Sequence, residues 1–287
     1  MKLSFILVLL LLCASNAFGQ KHLVTWEPAR LINGSPCVFR VSLPANLSSL
    51  RGKWLDKTVW FSFDRASGVW YGLAGIDLDV KPGSYQLSLE AISPQGQRTV
   101  YGEIVPVTKG AYRVAALSVP KKYLEPDEQT LRRIQQEKEL KTEAFNVTSP
   151  ERFWSGRFAA PTRTVTTAGF GSQRTFNGVR QSVHQGLDFR AATGTPVTAI
   201  SGGRVILARD FFFEGNFLVI DHGQGLLSLY LHLSAFKVKE GDTVSKGRLI
   251  GLSGGTGRAT GPHLHLAVRW QGVYVDPATL LRLALPQ

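Results

Sequence analysis

The feature that most constrains the fold is the close spacing of glycines between short apolar runs in the second half of the chain. Glycines recur every few residues from Gly186 to Gly261. Tight turns at this frequency are typical of a compact antiparallel β-barrel or β-sandwich. The runs between the turns predict strands at 197–200, 203–208, 217–221, 226–232, 248–252 and 263–270.

Residues 21–118 have the same character with fewer glycines. Apolar and polar residues alternate at 38–41, 58–63 and 85–90, and turn signals such as Lys81-Pro82-Gly83 separate these runs. Regularly spaced short strands favour a small β-sandwich, immunoglobulin-like in its pattern. We find no catalytic constellation in this half and expect a binding, spacer or inhibitory module.

Residues 119–154 differ from both flanking regions. Pro126-Asp127-Glu128 opens a charged stretch whose apolar residues, Leu131, Ile134 and Leu140, form only a thin stripe. This pattern predicts a connecting helix, either a solvated connector, which we favour, or a lid over a neighbouring site. The sequence therefore predicts a mainly β chain with a signal peptide at 1–19, a β-sandwich at 21–118, a helical linker at 119–154 and a catalytic unit at 155–287.

Two histidines stand at strand spacing near the end of the chain. In a β-strand, side chains alternate between faces, so His263 and His265 point the same way. Leu264, Leu266 and Val268 then point to the opposite face. A strand with one apolar face and paired histidines on the other is unusual for simple packing.

A second candidate pair lies about 80 residues earlier. His184 and Asp188 flank Gly186 at a turn that leads into a short strand over 187–189, so both side chains can reach one point. A catalytic zinc site uses three protein ligands, mostly imidazoles and carboxylates, and keeps one position open. The third ligand would have to come from the His263 and His265 strand.

The run 226–232 places Ser228, Tyr230 and His232 on one face of a strand. We expect this polar face to line a cleft, with Tyr230 and His232 exposed to substrate. His222 stands in a hairpin turn, where we expect a histidine that only forms local hydrogen bonds.

Several motifs occur together and in order. They are His184-Gln185-Gly186-Leu187-Asp188-Phe189, Gly194-Thr195-Pro196-Val197, Gly215-Asn216, Val219-Ile220-Asp221-His222-Gly223, Tyr230-Leu231-His232-Leu233 and Thr256-Gly257-Arg258-Ala259-Thr260-Gly261-Pro262-His263-Leu264-His265. Over about residues 165–280 the sequence resembles the lysostaphin/LytM-type zinc endopeptidases, which act on bacterial cell-wall peptide.

The resemblance implies a zinc ion as cofactor and a peptide of peptidoglycan as substrate. Its zinc ligands would be His184, Asp188 and His265, and its catalytic, non-ligand histidines would be His232 and His263. Asn216 and Tyr230 are the predicted substrate-binding residues. One departure from the family pattern is visible after the last ligand: Leu266-Ala267 stand where an aromatic and an acidic residue are common.

The amino terminus reads as an export signal. Lys2 precedes the apolar run 3–12, and Ala17-Phe18-Gly19 offers a cleavage site after Gly19. The run is short for a membrane span, and no later stretch of about 18 apolar residues follows. Leu12 also argues against lipid attachment at Cys13, because a small residue is expected there.

The formal net charge of +12 points to an anionic partner. Because the chain carries an export signal, we expect that partner to be an anionic cell-wall or membrane surface and not nucleic acid, although solubility alone could also explain the charge. The expected location is the periplasm, the cell wall or the extracellular space. Cys37 would be alone after cleavage, so we expect no internal disulfide and a buried thiol.

Two other functions compete with an endopeptidase. The chain could be a catalytically inactive wall-peptide binder that regulates another hydrolase, which the loss of a ligand would favour. It could also be a carrier domain, because the turn pattern at 238–247 is similar to that of biotinyl and lipoyl domains. The carrier alternative leaves the export signal and the candidate metal ligands unexplained.

Overall fold

The computed structural model describes residues 23–117, 120–146, 150–176 and 180–286. The predicted signal peptide lies outside these residues. Strands dominate the described chain, which confirms the prediction of a mainly β protein. No helix within the described ranges is long and apolar enough to span a bilayer.

The first part of the chain forms two sheets from nine strands. Their bounds are β1 Val24–Glu27, β2 Leu31–Ile32, β3 Pro36–Val41, β4 Ser49–Trp54, β5 Lys57–Trp60, β6 Ser62–Asp64, β7 Val69–Gly75, β8 Gly83–Ile92 and β9 Arg98–Thr108. One sheet has the order β1-β3-β7-β6 and the other β2-β9-β8-β4-β5. All pairings are antiparallel except that of β2 with β9.

Large apolar side chains join these two sheets. Phe39 of β3 meets Trp54 of β4 edge-on, with ring centroids 5.2 Å apart, and both side chains are fully buried. Cys37 is a buried free thiol beside them on β3, as predicted, and burial raises its pKa. The thiol therefore packs as a small apolar group.

The chain after β9 contributes a strand and then, within the predicted linker, a helix. Strand β10, Val114–Leu117, pairs in parallel with a strand of the second unit, and helix α1 spans Glu128–Phe145. The Asp127 carboxylate caps this helix by accepting a hydrogen bond of 2.7 Å from the Thr130 N–H. The helix is confirmed near its predicted start.

The predicted apolar stripe is not the face on which α1 packs. Leu131 and Leu140 are 52% and 37% exposed, whereas Ala144 and Phe145 pack against a buried cluster of the second unit. Most side chains of α1 are exposed, but Glu137 is buried and Lys141 pairs with Glu214, so one side of the helix contacts the second unit.

The second unit contains the remaining strands and one short helix. Their bounds are β11 Thr166–Ala168, β12 Gln173–Phe176, β13 Arg180–Val183, β14 Leu187–Phe189, β15 Pro196–Thr198, β16 Gly203–Phe211, β17 Gly215–Asp221, β18 Leu226–Leu233, β19 Ala235–Phe236, β20 Thr243–Val244, β21 Leu249–Leu252, β22 Leu264–Trp270, β23 Val273–Val275 and α2 Pro277–Leu280. The six strands predicted here from the glycine spacing all have counterparts in this set.

An antiparallel sheet of eight strands organises this unit. Its order is β11-β14-β22-β18-β17-β16-β20, with β23 paired to β22. Two three-stranded sheets flank it, β15-β21-β19 and β10-β12-β13. One face of the large sheet faces the main core, and the other holds a smaller apolar cluster that α1 partly covers.

The two units contact each other closely. The Lys57 ammonium donates to the Gln271 carbonyl over 2.7 Å, and the Asp276 N–H donates to the Gly34 carbonyl over 2.8 Å. A Cβ atom at Gly75 would lie 2.8 Å from the Val275 side chain, so this position has no room for a larger residue. The first unit therefore packs directly on the sheet that carries the candidate ligands.

Candidate metal centre

Strand pairing brings Asp188 and His265 side by side. In the antiparallel pair β14 and β22, Asp188 lies opposite His265. His184 follows β13 and approaches the same point from the other side. Gly186 makes this approach possible, because a Cβ atom there would lie 2.3 Å from the His265 ring.

Three ligand atoms converge at this point. Nε2 of His184 lies 3.0 Å from Oδ1 of Asp188 and 3.0 Å from Nδ1 of His265, and that Nδ1 lies 2.7 Å from the same oxygen. All three residues are buried. The structure thus brings together the three predicted ligands.

The donor set of this group fits a cation. Nδ1 of His184 lies 2.8 Å from the Gly169 carbonyl, so Nε2 is the ring atom turned toward Asp188 and His265. The ligand atoms of the three residues all lie within 4.8 Å of one another. Two imidazole nitrogens with one carboxylate oxygen are donors that suit zinc.

The electrostatics keep the carboxylate charged. Burial raises the pKa of Asp188, but hydrogen bonds and charge interactions with His184 and His265 outweigh burial and hold this pKa well below its usual range. Asp188 is therefore an anion at neutral pH, as a metal ligand must be.

His232 reaches the site through an irregularity in the sheet. The pairing of β17 with β18 shifts register between Asn216 and Leu218, and His232 has a left-handed backbone with φ of 64°. Its N–H donates to the Glu214 carbonyl over 2.9 Å, and its Nδ1 donates to the Thr256 carbonyl over 2.8 Å. The ring therefore carries its free lone pair on Nε2 when it is neutral.

Neutral His232 is strongly favoured. Burial, together with the charges of His263 and His265, lowers the pKa of His232 to about 3. The neutral ring thus presents Nε2 as a hydrogen-bond acceptor at neutral pH.

His263 stands beside it in a matching arrangement. Its Nδ1 donates to the Gly261 carbonyl over 2.8 Å, and its ring centroid lies 4.8 Å from that of His232. Nε2 of His263 lies 3.9 Å from Oδ1 of Asp188. Leu264 and Leu266, on the other face of β22, are fully buried, which confirms the predicted alternation. The five predicted metal and catalytic residues therefore form one cluster.

The structure contradicts the prediction that Tyr230 faces substrate. Tyr230 is fully buried, and its hydroxyl accepts from the Ile200 N–H over 3.0 Å and lies 3.1 Å from the Ser228 hydroxyl. Leu229 and Leu231 line the groove instead. Strict alternation fails at the bulge, which turns His232 toward the face opposite Tyr230.

Asn216 also differs from its prediction. Its side-chain amide donates to the Leu233 carbonyl over 3.0 Å, and its N–H donates to the Thr256 hydroxyl over 2.9 Å. Asn216 is not among the residues that line the groove. It holds the bulge that positions His232, so its role in the structure is to support the site.

His222 has a structural role, but its contacts are not local. The ring is fully buried, with Nδ1 donating to the Gly202 carbonyl over 2.6 Å and Nε2 lying 2.7 Å from the Ser228 hydroxyl. Burial lowers the pKa of His222 to about 4, although the bond to Gly202 opposes this shift. His222 therefore belongs to the core on the side of the sheet away from the metal ligands.

The candidate ligands lie at the base of a groove of about 650 Å³. Its floor is apolar and comes from the large sheet, with Phe217, Leu229, Leu231 and Ala267 among the lining residues. One wall comes from helix α1, whose Lys138, Lys141, Thr142 and Phe145 line the same groove. The sequence left open a lid over a neighbouring site but did not single out these four residues; their spacing over two helical turns was the available signal.

Comparison with known proteins identifies the family that this chain resembles. Residues 182–277 match the model of "Peptidase family M23". The peptidoglycan DD-endopeptidase ShyA of Vibrio cholerae is 50% identical over 103 residues, which are 35% of this chain and 24% of ShyA. The DD-carboxypeptidase/endopeptidase Mpg of Neisseria meningitidis is 43% identical over 104 residues, 36% of this chain and 23% of Mpg. The match therefore spans about a quarter of these relatives.

One solved structure is similar over most of its length. A candidate peptidase M23 from Pseudomonas aeruginosa has 30% sequence identity and a TM-score of 0.66, and the alignment covers 88% of this chain and 95% of that one. The similarity thus includes the upstream strands of the first unit as well as the segment with the candidate metal ligands. Together with the matched family model, it shows that the chain belongs to peptidase family M23.

Proposed function

We propose that the chain is an exported, zinc-dependent endopeptidase that hydrolyses peptide bonds in bacterial peptidoglycan. The observation that carries this proposal is the convergence of His184, Asp188 and His265 on one point, with His232 and His263 beside it. Relatives named peptidoglycan DD-endopeptidases support the same substrate class. All five residues are present, so nothing favours the inactive regulator.

His184, Asp188 and His265 would hold the zinc ion. When bound, zinc supplies Lewis-acid chemistry: it polarises a carbonyl oxygen and lowers the pKa of water to about 7. The burial of the three side chains and the hydrogen bond from His184 to the Gly169 carbonyl fix the direction of the ligand atoms.

His232 and His263 would transfer the proton of the attacking water. Each ring donates from Nδ1 to a backbone carbonyl, so each neutral ring presents the lone pair of Nε2. A histidine in this state can accept a proton from the attacking water and return it to the departing amine. The neighbouring ring can then orient the water or stabilise the oxyanion.

The remaining predictions belong to the same proposal. The first unit is proposed to be an immunoglobulin-like β-sandwich and the second a lysostaphin/LytM-type β unit, with boundaries at 21–118, 119–154 and 155–287. The net charge of +12 suits an anionic cell wall, and the export signal would deliver the chain to the periplasm or beyond.

The test is digestion of purified peptidoglycan by the chain from residue 20 onward, loaded with one equivalent of zinc. We expect new amine ends that mass spectrometry assigns to one type of peptide bond. The matched control is Asp188→Asn, which keeps the shape of the side chain and removes its charge. A zinc-loaded wild type that binds the wall but releases no new amines would contradict the proposal and leave the regulator.

A further inference from the structure

Helix α1 presents one face to the groove. Lys138, Lys141, Thr142 and Phe145 follow the spacing i, i+3, i+4 and i+7, which places them on one side of a helix. The segment that carries Arg258 lines the same groove. The peptide of the proposed substrate would therefore lie along this helical wall.

The helical wall is fixed in place by buried polar contacts. Glu137 is only 7% exposed, and its carboxylate accepts from the Phe212 N–H over 2.9 and 3.0 Å and from the Arg133 guanidinium over 2.6 Å. Lys141 donates to the carboxylate of Glu214. A buried carboxylate needs such partners, so these contacts set the position of α1 on the sheet.

The wall leaves the candidate metal centre accessible. The groove holds about 650 Å³ while it is lined by both α1 and the site histidines, a volume within the ordinary range for ligand sites. The His263 side chain is 19% exposed. Helix α1 therefore bounds the groove and does not fill it.

Positive charge dominates this groove. Apart from histidines, its charged lining residues among the described residues are Lys138, Lys141, Arg258, Asp188 and Glu214. Glu214 is paired with Lys141, and Asp188 belongs to the candidate metal centre. Lys138 is exposed, and no described carboxylate lies within ion-pair distance of its ammonium group. The wall thus offers an unneutralised cation to whatever enters.

We propose that helix α1 makes the groove selective for a peptide that carries free carboxylates, and that Lys138 is the residue that determines this selectivity. The proposal rests on the proposed endopeptidase function. The apolar floor would take the aliphatic part of the peptide, and the Lys138 ammonium would pair with a carboxylate of the bound peptide. The favoured substrate is therefore an acidic peptide, and its amidated form is disfavoured.

The test compares two substrates: a cross-linked wall peptide with free carboxylates and the same peptide after conversion of its carboxylates to amides. We expect wild type to prefer the acidic form in kcat/KM. Lys138→Glu should reduce the ratio of the two kcat/KM values by about fivefold, since an exposed ion pair contributes up to about 1 kcal/mol. The matched control is Arg132→Glu, which makes the same charge change on α1 at a residue outside the groove.

Binding of both peptides to zinc-loaded His232→Ala, with and without Lys138→Glu, separates this proposal from the catalytic one. Suppose that wild type cleaves neither peptide, but that the acidic form binds more tightly and this preference disappears in Lys138→Glu. The endopeptidase function is then refuted and the selectivity is supported. If both peptides are cleaved with a ratio that Lys138→Glu does not change, the selectivity is refuted and the endopeptidase stands. Equal binding without any cleavage refutes both.

Discussion

Two clusters of buried histidine lie on opposite faces of the same sheet, and their hydrogen bonding differs. On the core face, His222 meets only complementary partners, the Gly202 carbonyl and the Ser228 hydroxyl. On the groove face, Nε2 of His184, Nδ1 of His265 and Oδ1 of Asp188 lie within 3.0 Å of one another. The first cluster contains one histidine held by a carbonyl and a hydroxyl, whereas the second brings three metal-ligand atoms to one point.

Residue type and burial do not distinguish a structural histidine from a functional one in this protein. The groups around the ring do. Both clusters are buried, and burial lowers the pKa of His222 and of His232. Buried polar groups normally find partners, so the groove face is distinguished by the convergence of three ligand atoms on one point. Substitutions in the groove-face cluster should affect metal content and activity, whereas substitutions in the core-face cluster should affect stability.

The largest effect is expected from His184→Ala or Asp188→Ala. Each variant removes one of three ligands, so bound zinc should fall from one equivalent to almost none. Activity should fall at least about a thousandfold, because several kcal/mol of charge stabilisation are lost. Metal analysis of the purified variants, with circular dichroism as the control for folding, checks this. Stoichiometric zinc in both variants would refute the ligand assignment.

His232→Ala should separate catalysis from metal binding. His232 is proposed as a proton acceptor and not as a ligand, so the variant should keep its zinc. Its turnover should fall by about a hundredfold to a thousandfold, the usual contribution of a positioned base. Unchanged kcat at full zinc occupancy would remove His232 from the mechanism.

His222 should control stability and not metal binding. Its pKa is about 4 in the folded chain and about 6.5 when unfolded, so it contributes stability above pH 6.5 that is lost as pH falls toward 4. Across this window the loss amounts to about 3 kcal/mol. Denaturant unfolding of metal-free wild type and His222→Asn at several pH values checks this. Equal pH dependence in the two proteins would contradict the prediction.

Tyr230→Phe should have the smallest effect. The variant leaves the buried Ile200 N–H without an acceptor, which costs about 1 to 2 kcal/mol in the free energy of unfolding. Because Tyr230 lies outside the groove, kcat and KM should stay at their wild-type values. A raised KM would indicate that Tyr230 contacts substrate despite its burial, and it would contradict this prediction.

Local rules predicted part of the candidate site, and the resemblance to a family supplied the roles of its residues. Alternation placed His263 and His265 on one face, and the charged stretch that opens at Pro126-Asp127-Glu128 marked the start of α1. The same alternation failed for Tyr230, because a bulge with a left-handed His232 reverses the faces at the end of β18. No local sequence pattern predicts this bulge, because His232 is held by the carbonyls of Glu214 and Thr256, which are distant in the sequence.

The packing of helix α1 against the second unit was also not predicted from the sequence. The charged residues of α1 indicated a surface helix, yet Glu137 is buried against the Phe212 N–H, 75 residues away. This hydrogen bond depends on the position of the turn between β16 and β17 in the folded chain. Charge pattern alone therefore does not separate a solvated helix from one that forms the wall of a site.

The parallel pairing of β10 with β12 has a practical consequence for truncated forms of the protein. Strand β12 also pairs with β13, which ends at Val183, immediately before His184. A fragment that begins at residue 150 would lack β10 and expose an unpaired strand edge next to the first ligand. Expression of the peptidase unit alone should therefore start upstream of Val114, and a fragment without that strand is expected to aggregate more readily.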